Sequence, residues 1–372
     1  MKQLCLFLLK IGLSVAILAF LIYQAASTTD AEGKPIFEQL LHSEKDWASL
    51  AYGFLFCFIA VLITVLRWLW LVRMQKVPAR CAEALRIGYI GYLFNLAPMG
   101  IVGGDLLKVW LLARRHKETP NAGAVILAAA FIDRMIGLYA LFFMAGVAVL
   151  GMGILSDPQT SQTLYGIAIA VLIAWGAGTV AGLAVLLPKI KEKEVEGAGE
   201  TKKAGGTGEA KETGGAGETG EKTETGETPE PSKLAKLFNE CVYSVRMYRQ
   251  FPIQLTIVVA VSILVHTCFA TSIFFLTKGL WETYPTFSQQ LYISPICSST
   301  SAIPLPFGPY EAVLDLLYKD VLGQHGIGLT AALAYRLVCL IIALLGVIFY
   351  FSAREEIREA VQESETPPNE KG

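Results

Sequence analysis

Residues 82–115 read AEALRIGYIGYLFNLAPMGIVGGDLLKVWLLARR. The stretch is apolar enough to enter a bilayer, but it is interrupted in the middle. Pro98 removes a backbone donor, and the neighbouring Gly103 and Gly104 favour non-helical geometry. A helix is therefore expected to stop near Pro98 and a second to begin near Asp105. Both ends are basic, with Arg80 and Arg86 on one side and Arg114, Arg115 and Lys117 on the other. Basic flanks belong on the cytoplasmic side. Both ends on one side and a break between them predict a re-entrant hairpin.

A second stretch, 287–322, reads FSQQLYISPICSSTSAIPLPFGPYEAVLDLLYKDVL. Pro304, Pro306, Gly308 and Pro309 interrupt it, and Glu311 opens the helix that follows. Around these two stretches lie six apolar runs, at 4–24, 47–71, 122–152, 164–187, 253–278 and 327–351. About 20 residues at 1.5 Å each cross roughly 30 Å of hydrocarbon, and in lipid such runs must be helical to satisfy their own backbone. The acidic segment 27–46 then lies outside and the basic segment 72–121 inside. Arg67 is counted here with that basic cluster. Arg354 and Arg358 put the end of the last span inside too. By the same count, both ends of 287–322 are external, so the second hairpin dips from the opposite face.

The halves correspond. Pro98-x-x-x-x-Gly103-Gly104-Asp105 precedes one half-helix and Pro304-x-Pro306-x-Gly308-x-x-Glu311 the other. Each is followed by a span with an arginine about three turns in, Arg134 and Arg336. The predicted fold is an all-α integral membrane protein with six spanning helices and two re-entrant helical hairpins in an inverted-topology repeat. Such repeats place a binding site near the midplane where broken helices meet. The first repeat occupies 1–190 and includes a fourth span at 164–187. The remainder of the second repeat occupies 251–351, and a polar cytoplasmic tail covers 352–372. The apolar run at 4–24 contains Lys10 and is read as an uncleaved anchor rather than a signal peptide, although Ala25-Ala26-Ser27 follows it.

Composition agrees. The 372 residues are 53% hydrophobic and 17% charged, against about 25% charged in soluble domains. Mean hydropathy is +0.49. The formal net charge of -1 leaves no nucleic-acid footprint. The seven cysteines form no CxxC pair and share no metal-like spacing with the four histidines. No metal, cofactor, dinucleotide or ATP motif is expected, nor a Ser/His/Asp set. Segment 191–232 is low in complexity and nearly devoid of large apolar side chains, so it reads as a disordered cytoplasmic linker. Residues 233–250 place their apolar side chains on one face, as an interfacial amphipathic helix would, or extend the next span. Trp47, Trp68, Trp70, Trp110 and Trp281 near span ends suggest an aromatic belt.

Charge at bilayer depth is costly, so ionisable residues there face a partner or a cavity. Asp105 and Glu311 sit where half-helices begin, and either cap them or line an aqueous cavity. Asp133 and Arg134 point to different sides of one helix, so each is expected to pair across helices. Arg134 and Arg336 read either as partners of buried carboxylates or as phosphate contacts, since guanidinium binds phosphate bidentately. His266 is a hydrogen-bonded helix contact or a proton relay.

Arg67-Trp68, Phe94-Asn95-x-x-Pro98, Gly103-Gly104-Asp105-x-x-Lys108, Asp133-Arg134-x-x-Gly137 and Pro306-x-Gly308-x-x-Glu311-Ala312 stand in an order that resembles the lysylphosphatidylglycerol synthase transmembrane, or flippase-like, family. The resemblance covers nearly all of 1–351. In that family this domain moves aminoacylated lipid between leaflets, and relatives are linked to lipid-linked glycans. The resemblance marks Asn95, Gly103, Gly104, Asp105, Lys108, Asp133 and Arg134 in the first half as substrate-binding positions. Pro306, Gly308 and Glu311 follow in the second half, and Arg336 joins them from its place in the repeat. The implied partners are membrane lipids with an anionic or phosphate-bearing headgroup, and a glycosyltransferase or lipid-modifying enzyme. The implied location is the bacterial cytoplasmic membrane, with both termini cytoplasmic. The synthases carry a soluble aminoacyl-transferase domain, whereas only residues 352–372 follow the last span here, so aminoacylation is not expected. Three function classes remain: a lipid flippase or transporter of a lipid-linked intermediate, a membrane enzyme acting on lipid headgroups, and a scaffold for glycan or lipid assembly.

Overall fold

The computed structural model describes residues 44–96, 101–151, 153, 155–156, 162–186, 243–300 and 308–352, with isolated positions between 19 and 42. Most of the run at 4–24, the linker at 191–232, the tail beyond 352 and both hairpin turns, including Pro98 and Pro306, lie outside the described residues. Among those described, every regular element is a helix. They are α1 (Trp47–Met74), α2 (Cys81–Leu96), α3 (Ile101–Arg115), α4 (Ala122–Gly151), α5 (Gln162–Leu186), α6 (Pro252–Leu280), α7 (Phe287–Ser299), α8 (Pro309–Leu322) and α9 (Ile327–Ser352). Five are long and apolar enough to cross a membrane: α1, α4, α5, α6 and α9. The chain is an all-α, multi-pass membrane protein.

The ends of the long helices follow local chemistry. Asp46 caps α1 by accepting from Ser49 N at 3.1 Å. Pro252 stands in the first turn of α6, where its missing donor costs nothing. Asp315 of α8 accepts from Gly326 N (2.7 Å) and Leu329 N (3.1 Å), satisfying donors at the start of α9.

The core is an antiparallel pair, α1 against α6. Small residues let the two backbones approach: Leu276 of α6 lies over Gly53 of α1, and Leu50 of α1 lies over Gly279 of α6. Ser272 Oγ donates to Gly53 O at 2.7 Å. The remaining helices pack around this pair in matching ways. Helix α2 lies on α9 and α7 lies on α4, so each hairpin's first helix packs on the long helix that follows the hairpin of the other half. Within each half, α3 meets α4 and α8 meets α9.

Helices α2 and α3 form a close antiparallel hairpin, and here the structure departs from the sequence reading. Helix α2 ends at Leu96 and α3 begins at Ile101, so Gly103 and Gly104 lie inside a helix. They do not break the chain. A Cβ on Gly104 would stand 2.1 Å from Gly91 O and 2.4 Å from Asn95 Oδ1. The glycine is there because the two backbones touch. The second hairpin follows expectation more closely. Gly308 adopts φ 109°, a conformation that side chains resist, and Glu311 Oε2 accepts from Gly308 N at 2.7 Å, closing the first turn of α8.

Other expectations are corrected. Arg67 belongs to the interior of α1, not to the basic loop, and is 6% exposed. Trp68 and Trp281 are buried, so neither forms part of an aromatic belt; the Trp281 indole donates to Thr330 Oγ1 at 2.9 Å. In the described part of 233–250, Tyr248 and Ser244 are buried against the end of α1. Tyr248 Oη donates to Leu71 O (2.9 Å), and Gln75 Nε2 donates to Ser244 O (2.9 Å). The described part of this stretch is docked on the end of α1.

Candidate functional site

The long helices carry few charges, and Arg67, Asp133, Arg134 and Arg336 among them fall into two groups. The larger group lies where α1, α2, α3, α4 and α6 converge. Arg134 of α4 donates through Nε to Asp105 Oδ2 of α3. Lys108, one turn further along α3, places Nζ 2.7 Å from Asp105 Oδ1. One carboxylate thus holds two cations. Arg134 keeps 42% of its side chain exposed, whereas the Lys108 and Asp105 side chains each keep 14%.

Asp133 is engaged elsewhere. Arg67 Nε donates to Asp133 Oδ1 at 2.8 Å, and Arg67 Nη1 donates to Ser262 Oγ at 2.7 Å. This buried bridge ties α1, α4 and α6 together. Consecutive helical residues differ by about 100° around the axis. Anchoring Asp133 on Arg67 therefore turns Arg134 away from that bridge and toward α3. His266 Nε2 lies 3.1 Å from Gly137 O, a helix-to-helix contact.

Between these groups is a cavity of about 310 Å³, lined by Arg67, Asn95, Lys108, Asp133, Arg134 and His266 among polar residues, with Trp68, Tyr92, Phe269 and aliphatic side chains completing the wall. Of the positions singled out in the sequence, Asn95, Lys108, Asp133 and Arg134 meet here, with Asp105 bonded to two of them. Gly104 sits behind Asn95 as the contact between α2 and α3, and Gly103 is in the same helix.

The second group is smaller. Arg336 Nε of α9 donates to Glu311 Oε1 of α8 at 2.8 Å, and the guanidinium lies 5.6 Å from the centroid of the Tyr310 ring. Glu311 is fully buried and Gly308 is its partner at the other oxygen. Acid on the hairpin's second helix and arginine on the next long helix repeat the Asp105–Arg134 arrangement. Among the described residues the four charged residues stand as two acid–arginine pairs, Asp105 with Arg134 and Glu311 with Arg336. Glu311 and Arg336 are not in the wall of the cavity. Instead, ring contacts lead from Phe269 through Tyr335 (6.2 Å) to Tyr310 (6.1 Å).

Sequence reasoning missed Arg67 and Trp68 as site residues. The signal was available: apolar residues continue past Arg67 through Val72, which places the arginine before the end of its span. Tyr92, also in the cavity wall, carried no such signal.

The fold and this cavity define a multi-pass helical membrane protein with a charged cavity between its helices. The chain belongs to the family described as the lysylphosphatidylglycerol synthase TM region, whose model matches residues 7–346. The membership links it to lipid handling. No curated protein matches the sequence.

Proposed function

We propose that the protein is a flippase or transporter that carries a phospholipid or a polyprenyl-phosphate-linked intermediate across the cytoplasmic membrane. The observation that carries this reading is Arg134: half-exposed, held by Asp105, and facing a cavity among apolar helices. An arginine in such a place needs a reason, because charge at bilayer depth is costly unless it serves a pathway. A phosphate oxygen accepts from guanidinium in bidentate geometry, and Lys108 adds a second cation. With no ATP motif in the chain, movement runs downhill or is coupled to an ion gradient.

In this reading the α2–α3 and α7–α8 pairs are re-entrant hairpins entering from opposite faces. A sixth span lies at 4–24, both termini are cytoplasmic, and the halves form an inverted-topology repeat. The reciprocal packing of α2 on α9 and α7 on α4 supports that symmetry. In a cysteine-free background, cysteines at 82 and 117 should both label from the cytoplasmic side, and cysteines at 287 and 322 both from outside. Labelling of the two ends of either hairpin from opposite sides excludes this topology.

Reconstitution tests transport itself. Proteoliposomes carrying labelled phospholipids and polyprenyl phosphates should show protein-dependent movement between leaflets, and Arg134→Ala should slow it by about tenfold or more. No movement of any lipid by folded protein rules the transporter out.

A further inference from the structure

We propose that Cys57 and Cys339 form a redox modification site, at which a small peroxide closes a disulfide between the two halves of the fold. The proposal rests on the transport reading only for what that tie arrests.

The two thiols stand 282 positions apart in the chain, one in each half. Cys57 is on α1 and Cys339 on α9, each near the middle of its helix. Their sulfurs lie 3.9 Å apart. A disulfide needs about 2.05 Å, so closure asks for about 2 Å of movement, shared between two side chains.

The surroundings favour reaction at Cys339. Tyr92 and Tyr335 pack on the cluster that holds both sulfurs, and their hydroxyls stand beside Cys339. Arg336 lies one turn earlier on the same helix. Phenolic donors and a guanidinium stabilise the negative charge that develops on sulfur as it attacks. Tyr92 also lines the charged cavity, so Cys339 is one side chain removed from it.

Burial selects the reagent. Cys57 is 0% exposed and Cys339 4%. Charged oxidants and charged thiols are held off by the apolar surroundings, whereas hydrogen peroxide is small and neutral. The Cys339 sulfur attacks one peroxide oxygen, the O–O bond breaks, and a sulfenic acid and one water result. The Cys57 sulfur then attacks the sulfenic sulfur. The S–S bond forms, the S–O bond breaks, and the hydroxyl leaves with the thiol proton as a second water. Two thiols are oxidised and one peroxide is reduced.

The bond would cross the interface between the halves. Helix α9 holds α8 through Arg336 and Glu311, and it touches α2 where Gly346 meets Tyr89 O. Fixing α9 to α1 therefore resists movement of one half against the other.

The test treats the full chain in proteoliposomes with hydrogen peroxide, caps free thiols, and cuts the chain with trypsin, whose lysine sites recur within 191–232. The halves should stay joined on a nonreducing gel and part with dithiothreitol. Mass spectrometry should find the Cys57 and Cys339 peptides linked. Cys57→Ser and Cys339→Ser should each abolish the joined species, whereas Cys297→Ser, at another buried thiol, should not. Lipid movement should be lost on oxidation and regained on reduction, and Cys57→Ser should keep it throughout. Absence of the linked peptide in the wild type overturns the proposal, as does undiminished lipid movement by the linked protein. Linked halves in a protein that moves no lipid even when reduced would uphold the site and remove the transporter alone.

Discussion

Arg67→Ala should destabilise the protein by about 3–5 kcal/mol, the usual consequence of removing one partner of a buried ion pair. Arg67 and Asp133 are 6% and 5% exposed, so the bridge is largely shielded from water. The substitution strands the Asp133 carboxylate and also removes a donor to Ser262 Oγ. The unfolding midpoint in detergent should fall sharply, and Asp133→Ala should lower it comparably by leaving Arg67 unpaired. The double substitution Arg67→Met with Asp133→Leu should recover much of the loss, because exchanging a whole buried pair for apolar groups is often neutral. An Arg67→Ala protein that melts with the wild type would show that the bridge is not buried as described. Transport has a separate stake in this bridge. Asp133 fixes the rotation of α4, so the double variant should be stable yet impaired, with Arg134 no longer directed toward Asp105.

Gly104→Ala is the second large effect expected. The added methyl would meet Gly91 O at 2.1 Å and Asn95 Oδ1 at 2.4 Å. No rotamer change moves a backbone oxygen, so α2 and α3 would have to separate. Overpacking of this kind typically costs about 1–3 kcal/mol, and a backbone obstacle places Gly104→Ala toward the upper end. Gly182 of α5 makes the control, since nothing lies within 4 Å of the position a Cβ would take there. Gly182→Ala should leave the melting temperature unchanged or raise it slightly, as alanine is the better helix former. The loss at Gly104 should appear in lipid binding as well, because Asn95 sits on one arm of the hairpin and Asp105 and Lys108 on the other. Equal melting of the two alanine variants would show that the arms are not in contact.

The apolar runs that became α1, α4, α5, α6 and α9 were legible because crossing a bilayer demands length and hydropathy, both local properties of the chain. The division of 287–322 into two helices was legible for a related reason. Proline and a glycine at positive φ act on their own turn, and Glu311 closes that turn from three residues away. Gly103 and Gly104 misled because glycine has two uses. It frees the backbone, or it lets another backbone come near, and only the second helix reveals which.

Length, membrane class, the two interrupted segments and the presence of an acid and an arginine at corresponding places in each half were determined by the sequence alone. They depend on periodicity, breaker residues and the cost of charge in hydrocarbon. The choice of partners was decided by the tertiary structure: Arg67 with Asp133, Arg134 with Asp105 and Lys108, and Glu311 with Arg336 in a separate group. Ion pairing depends on distances between residues as far apart in the chain as 67 and 133, and helix packing alone sets those distances.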